Sequence, residues 1–409
     1  MRGGGASFES IWEKLARELY YSTPPMGGGG ADTTPLLLAT ANELMKAMQE
    51  GGVSYQSLPK LVTGMTDNIF IFSGFKTYQE LQQASLLLRD AQGKLRSFAD
   101  FRKEIKNLNA TYNSAYLQAE YNHAVASSQM AVKWQEFDSQ KDKYDLVYDA
   151  VGDLRTRPEH AALDGVVEPV DSTFWDTHYP PNGWNCRCTV YQVDKGTKGT
   201  KLPKDIPANP ILFQNNVGKT GIIFPSSHPY FQNLTEVQRK VVNGSIEKAR
   251  EVLFRQELAK VEQHLSTVTG LNEEAMIVDK YGNRLLPNYL KSYDKPISFS
   301  EEAQLLAKNN VVTHNHPDDT FFSTYDIRFV IANNPAEFRA VWVQSKKVLV
   351  VRRPENGWDV EDKLDDIIYF YATEGGDNIN ADNIEDYLNF HIGKDIAKAL
   401  GWHITTEEL

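Results

Sequence analysis

The sequence predicts a multidomain α+β protein: a mostly helical N-terminal half with a small looped β cap, then a C-terminal α/β domain. Three observations lead there. From Thr34 to Asp138 apolar residues recur at three- and four-residue steps, the period of a buried helix face. Both cysteines of the chain fall in one aromatic, turn-rich stretch between Arg155 and Cys188. Beyond residue 265, short β-branched runs alternate with helical patterns.

A chain of 409 residues, 41% hydrophobic, is long enough for two to three cored domains. Its formal charge of −11 speaks against a non-specific nucleic-acid binder, which needs Lys and Arg to displace phosphate counterions. No sequence-specific nucleic-acid contact is expected either. No run approaches the roughly 20 apolar residues of a membrane span, and Met1-Arg2-Gly3-Gly4-Gly5 lacks the apolar core of a signal peptide. The reading is a protein made in the cytoplasm with no membrane partner. Two cysteines separated by one residue cannot staple a fold of this size in a reducing compartment, which leaves thiol packing or metal ligation.

In chain order, Phe8, Ile11, Trp12, Leu15 and Leu19 make residues 7–22 a short amphipathic helix. Pro24, Pro25 and the glycines Gly27 to Gly30 follow as a flexible linker, so the helix either docks on another body or folds back on its own core. Pro35 opens the next helix, and breaks are expected at Gly51-Gly52, Gly74 and Gly93. The fourth helix is the longest, its stripe running through Phe101, Ile105, Leu108, Tyr112, Ala115, Ala119, Ala126, Met130, Trp134 and Phe137, with His123 beside it as a structural histidine.

Residues 144–151 alternate as a strand and residues 187–193 read as its partner. Between them Pro180-Pro181-Asn182-Gly183 sets a reversal, with Asn-Gly favouring positive φ. Residues 194–234 read as an extended arm with anchors at Phe213, Phe224, Tyr230 and Phe231, suited to wrapping a neighbour. Thr235 caps a connector helix over 236–266. Strands follow at 275–279, 311–317, 340–344 and 347–353, and helices at 358–373 and 381–400; His391 and His403 are isolated and structural. The expected domains are 1–34, 35–195, 196–265 and 266–409.

Arg157, His160, Leu163, Asp164 and Gly165, then Pro180, Pro181, Gly183, Trp184, Asn185, Cys186, Arg187 and Cys188, spell R-x-x-H-x-x-L-D-G and P-P-x-G-W-N-C-R-C. Over residues 35–195 the chain thereby resembles the phage Mu F-like head morphogenesis family, the minor head proteins of tailed phages. The resemblance implies portal and capsid proteins as partners, and residence in the bacterial cytoplasm during assembly and then in the virion head. It also implies an R-T-E-like triplet on the long helix; Gln118-Ala119-Glu120 stands there without the arginine.

Cys186 and Cys188, two apart and so on one face of a strand, can join His160 in a tetrahedral zinc site, with Asp164 or His178 as fourth ligand. The alternatives are two small buried hydrophobes, or a nucleophilic thiol with His160 as base.

The second motif is Thr313-His314-Asn315-His316-Pro317, followed by Ser323 and Asp326. Two histidines two apart on a strand and an aspartate opening the next helix supply three zinc ligands and leave a fourth place for water. A hydroxyl between them can polarise a carbonyl, and a carboxylate from elsewhere takes the proton. The arrangement resembles the JAMM (MPN/JAB-like) metalloproteases over residues 270–345. That resemblance implies Glu273 as general base, with Glu274 the alternative, Ser323 at the oxyanion, and a peptide or isopeptide substrate. Six residues separate His316 from Ser323, one fewer than the family's interval, so the serine is expected to sit off its usual place. A non-catalytic binding module and a histidine-type nuclease are the competing readings, the latter opposed by the acidic segment 355–385.

Together these readings describe a minor head protein of a tailed phage or prophage carrying a C-terminal zinc-dependent hydrolase domain. The alternative is a phage-delivered effector or processing enzyme.

Overall fold

In the computed structural model, the described residues are 7–21, 31–54, 58–206, 208–293, 296–355 and 393–409, with Gly357, Trp358, Leu364 and Asp366 besides. The glycine linker, His391, nearly all of the expected helix at 358–373 and residues 381–392 of the next lie outside them. The chain divides into two compact units, Met1–Ala249 and Arg250–Leu409. It is mixed α+β, with an N-terminal helical half and a C-terminal sheet. No helix among the described residues is long and apolar enough to cross a membrane.

The first unit is built on α1 (Phe8–Tyr21), α2 (Thr34–Glu50), α3 (Pro59–Leu86), α4 (Phe98–Ala110), a π-helical turn (Thr111–Tyr116) and α5 (Leu117–Ser139). Of the two readings of α1, folding back holds: Ile11, Trp12, Leu15, Ala16 and Leu19 pack with Leu36, Leu81, Leu88, Phe101 and Ile105. Gly51 caps the end of α2 as expected, but α3 runs through Gly74 without a break. What Gly74 supplies is close approach, since a Cβ there would stand 2.4 Å from Ile246 Cγ1.

The long helix departs from its expected stripe. After Tyr112 the next buried side chain is Leu117, five residues on, the step of a π turn, and the buried face then continues through Glu120, His123, Ala124, Ser127, Ser128 and Ala131. Ala115 is exposed and Ala119 and Ala126 are only half-buried, because the inserted residue rotates the face by most of one position. His123 therefore lies inside the bundle, among the rings of Trp184, Phe213 and Phe224.

The cap is an antiparallel sheet of β1 (Tyr144–Asp149), β2 (Val167–Pro169) and β3 (Thr189–Asp194) in the order β2-β1-β3, with short helices α6 (Pro158–Ala161) and α7 (Phe174–Thr177) in its loops. Leu146, Tyr148, Leu163, Trp175, Tyr179 and Val190 form its core with Met130, Trp134 and Phe137 of α5. The arm that follows, with α8 (Val217–Thr220), does not extend away. Phe224 stacks on Phe72 with ring centroids 3.8 Å apart, Phe231 meets Phe75 at 4.9 Å, and Asn68 Oδ1 accepts the backbone N–H of Ile223 and Phe224 at 2.9 and 2.8 Å. Phe224 and Phe231 thus face α3 and Phe213 meets His123 and Trp184, so the arm packs on its own unit where an extended course was expected.

α9 (Glu236–Leu265) carries the chain into the second unit. There β4 (Asn272–Val278), β5 (Leu290–Tyr293), α10 (Glu301–Ala307), β6 (Val311–His316), α11 (Thr324–Asn333), β7 (Glu337–Trp342), β8 (Lys347–Arg352), α12 (Gly393–Ala399) and β9 (Ile404–Glu408) form a sheet of order β5-β4-β6-β7-β8-β9 with its helices. Only β6 and β7 run parallel, joined through α11; the other neighbours are antiparallel. The sequence reading missed β5 and β9. Both are edge strands with alternating, largely polar sequences, LKSY and ITTEE.

Candidate metal centres

Among the described residues two sets of ligand-type side chains converge, one in each unit: His160, Cys186 and Cys188, and His314, His316 and Asp326. Within each set the ligand atoms all lie within 4.8 Å of one another.

The second set rests on β6 and α11. His314 and His316 share a face of β6, and their Nε2 atoms stand 2.8 Å apart. Asp326 brings Oδ1 to 3.3 Å from His314 Nε2 and Oδ2 to 3.5 Å from His316 Nε2. His316 Nδ1 contacts the Thr320 carbonyl at 2.8 Å; a carbonyl only accepts, so Nδ1 carries a proton and Nε2 is the nitrogen turned toward His314 and Asp326. Trp342 Nε1 donates to the same carbonyl at 2.8 Å. The loop is further pinned by Asp319, whose two oxygens accept the backbone N–H of Gln344 and Ser345 at 2.9 and 2.7 Å.

Burial opposes charge on these groups, yet their mutual attraction prevails. The hydrogen bond and charge of Asp326 raise His316 against its burial, and the histidines hold Asp326 well below the usual carboxylate range.

Ser323 is the N-cap of α11. Its Oγ accepts from Asp326 N at 3.2 Å and donates to Asp326 Oδ2 at 2.8 Å, and Asp326 Oδ2 also accepts from Ser323 N at 2.8 Å, a complete capping box. The hydroxyl proton is thus directed at the Asp326 carboxylate.

Glu273 and Glu274 part to opposite faces of β4. Ala275 pairs with His314 across the ladder, so Glu273, two residues away, shares the histidine face. Burial lifts its pKa, against the pull of His314 and His316 and with the repulsion of Asp326 added. Glu274 instead pairs with Lys291 at 2.7 Å and His264 at 2.9 Å.

In the first unit, His160 Nδ1 on α6 stands 3.7 Å from Cys186 Sγ and 3.5 Å from Cys188 Sγ. Both cysteines are free and lie in the loop just before β3. The Cys188 and His160 contacts draw the Cys186 thiol down to about 4 against its burial, while the pairing pushes Cys188 up. Neither expected fourth ligand joins them: Asp164 Oδ1 accepts the Ala150 N–H at 2.9 Å, and His178 Nδ1 bonds Thr177 Oγ1 at 2.8 Å. Positive φ falls at Asn185 (57°) rather than at Asn182 or Gly183. At Gly183 a Cβ would meet Arg157 Nη1 at 2.9 Å, and Arg157 Nη2 donates to Trp184 O at 2.8 Å. Arg187 makes a two-pronged bond to Asp153 at 2.7 Å each.

The sequence reading missed a buried polar cluster on α3, the π turn and α5. Lys76 pairs with Glu120 and donates to Tyr112 O at 2.9 Å, Tyr230 Oη donates to Glu120 Oε1 at 3.2 Å, and Asn113 Nδ2 donates to Glu80 at 3.0 Å. A lysine and a glutamate amid the aromatic run of α3 were the available signal.

Residues 41–191, which include the cap and its C-x-C loop, match the family described as Phage Mu protein F like protein. The similarity is to that segment, which is less than half of the chain. Among curated proteins, the "Putative capsid assembly protein F" of Escherichia phage Mu is 43% identical over 82 residues, 20% of this chain and 16% of that protein. The Mu-like prophage FluMu F protein of Haemophilus influenzae is 54% identical over 43 residues, 10% of each chain. The matches thus span only a small part of those relatives. No solved structure gives a significant match.

Proposed function

We propose that this chain is a minor head protein of a tailed phage or prophage, acting with portal and capsid proteins, and that its C-terminal unit is a zinc-dependent, JAMM-like amide hydrolase. The Mu F-like segment supports the first part. The second part is carried by one observation: His314, His316 and Asp326 turn their ligand atoms toward one point, with Glu273 on the same face.

The donor set fits a zinc ion. Two imidazole Nε2 atoms 2.8 Å apart, one of them presented inward because Thr320 holds the Nδ1 of its ring, are placed to share a cation. A zinc ion held there by His314, His316 and Asp326 would supply Lewis acidity and acidify a water. Glu273, raised by burial, takes a proton at this face and returns it to the leaving amine. Ser323 holds Asp326 rather than the substrate oxygen, which fits the shortened loop. The substrate class is a peptide or isopeptide bond.

The test has two arms. Heads purified from the parent phage at each assembly stage should contain the chain; its absence from all of them overturns the head-protein reading. In the purified full chain, Glu273→Gln should keep bound zinc and lose amide hydrolysis, whereas His316→Ala should lose both. A full chain that takes up no divalent metal through its C-terminal histidines removes the hydrolase.

A further inference from the structure

We propose that His160, Cys186 and Cys188 hold a second zinc ion whose fourth coordination position opens onto a cleft and takes a carboxylate oxygen from a ligand lying there. The inference is independent of the C-terminal centre. Three donors of the right types converge within 4.8 Å, and among the described residues no fourth His, Cys, Asp or Glu joins them. Asp164 and His178 are committed elsewhere, as described above. Tyr148 touches the group, but its hydroxyl serves Cys188 and accepts from Asn182 Nδ2 at 3.0 Å.

The open side has a direction. A cleft of about 860 Å³ is lined by Gly51, Val125, Gln129, Lys133 and both cysteines, whereas His160 is not part of its wall and is only 3% exposed. The imidazole therefore backs the thiols, and the side left for a fourth ligand is the cleft. Closed structural zinc sites surround the ion with four protein ligands; three ligands with one free side make a site that exchanges what it binds. Binding of the ion expels the remaining thiol protons and leaves Zn²⁺ with two thiolates and a neutral imidazole, a group of zero net charge.

The wall selects the incoming group. It carries Lys133 and Arg187 against the single carboxylate of Glu50. Lys133 Nζ already contacts Thr189 Oγ1 at 2.6 Å, one residue from Cys188, and Arg187 is paired with Asp153. A carboxylate arriving at the ion meets the lysine beside it.

Cobalt(II) added to the metal-stripped full chain tests this. Sulfur-to-cobalt charge transfer arises only from Cys186 and Cys188, the chain's two cysteines, so the N-terminal centre has its own signal. The band should appear in the wild type and in His316→Ala, and vanish in Cys188→Ser. In the His316→Ala chain, where the other centre is silent, added acetate should shift the ligand-field bands and saturate. No charge-transfer band overturns the metal site. A band that acetate leaves unmoved overturns the open position, since a fourth protein ligand would then close it.

Discussion

Lys76 and Glu120 form an ion pair shut away from water, with side-chain exposures of 0% and 4%. Gln118 stands two residues before that glutamate, where the resemblance led to the expectation of an arginine, and the cation beside Glu120 comes from α3. Removing one partner strands a buried charge, which costs about 3–5 kcal/mol, whereas removing both is close to neutral. Lys76→Met should therefore lower the stability of the helical unit by that amount, and Lys76→Met with Glu120→Leu should recover most of it. Urea denaturation of the three chains, followed by far-ultraviolet circular dichroism, measures the difference.

Glu80 lies in the same cluster, fully buried, and its desolvation, only partly offset by Lys76 and Asn113 and reinforced by Glu120, lifts its pKa to about 7. Its folded value lies above its unfolded value, so the folded state binds the extra proton. Its stabilising contribution is complete below about pH 4.5 and is lost as pH rises toward and past 7, by on the order of 3 kcal/mol. Glu80→Gln, neutral at every pH, should remove this slope and raise the melting temperature at pH 8 relative to wild type. A slope unchanged by the substitution would mean that Glu80 is ionised in the fold.

Gly218, on α8 of the arm, tests the packing of that arm against α5. A Cβ on it would stand 2.2 Å from Trp134 Cβ and 2.5 Å from Trp134 Cγ, on a residue buried in the cap core. Gly218→Ala should cost about 1–3 kcal/mol by overpacking. Trp134 fluorescence should report the shift directly, with the denaturation midpoint falling in step.

The legible parts of this chain were those where one residue type serves one purpose. His314, His316 and Asp326 could be read as one group because a strand puts alternate residues on one face and a helix N-terminus follows at once. His160 could be joined to Cys186 and Cys188 for the same reason of chemistry, although the turn geometry at Asn185 was not visible in the Asn-Gly pair. What the sequence hid depended on partners distant in the chain. The π turn shifts the long helix to bring the Tyr112 carbonyl to Lys76, 36 positions away, and no local period encodes that. Gly74 read as a break because a glycine in a helix weakens it, when its purpose is contact with Ile246. The arm read as extended because its aromatic anchors have no period of their own and meet their partners on α3.

Ser323 separates two roles that a serine can play beside a metal centre. As an oxyanion donor it would act on the substrate and leave metal affinity untouched. In this fold its Oγ caps α11 and donates to Asp326 Oδ2 at 2.8 Å, so it aims the carboxylate that we propose as a zinc ligand. Partners of that kind typically contribute about 10–100-fold to metal affinity. The cap itself is worth about 1 kcal/mol against alanine but only a few tenths against glycine. Ser323→Ala should therefore lose both stability and zinc affinity, while Ser323→Gly should keep most of the stability and lose the same 10–100-fold in affinity. Competition with a chromogenic chelator gives the zinc Kd, and thermal melts of the metal-stripped chains give the cap. Unchanged zinc Kd in both variants, with turnover alone reduced, would return Ser323 to the substrate side of the site.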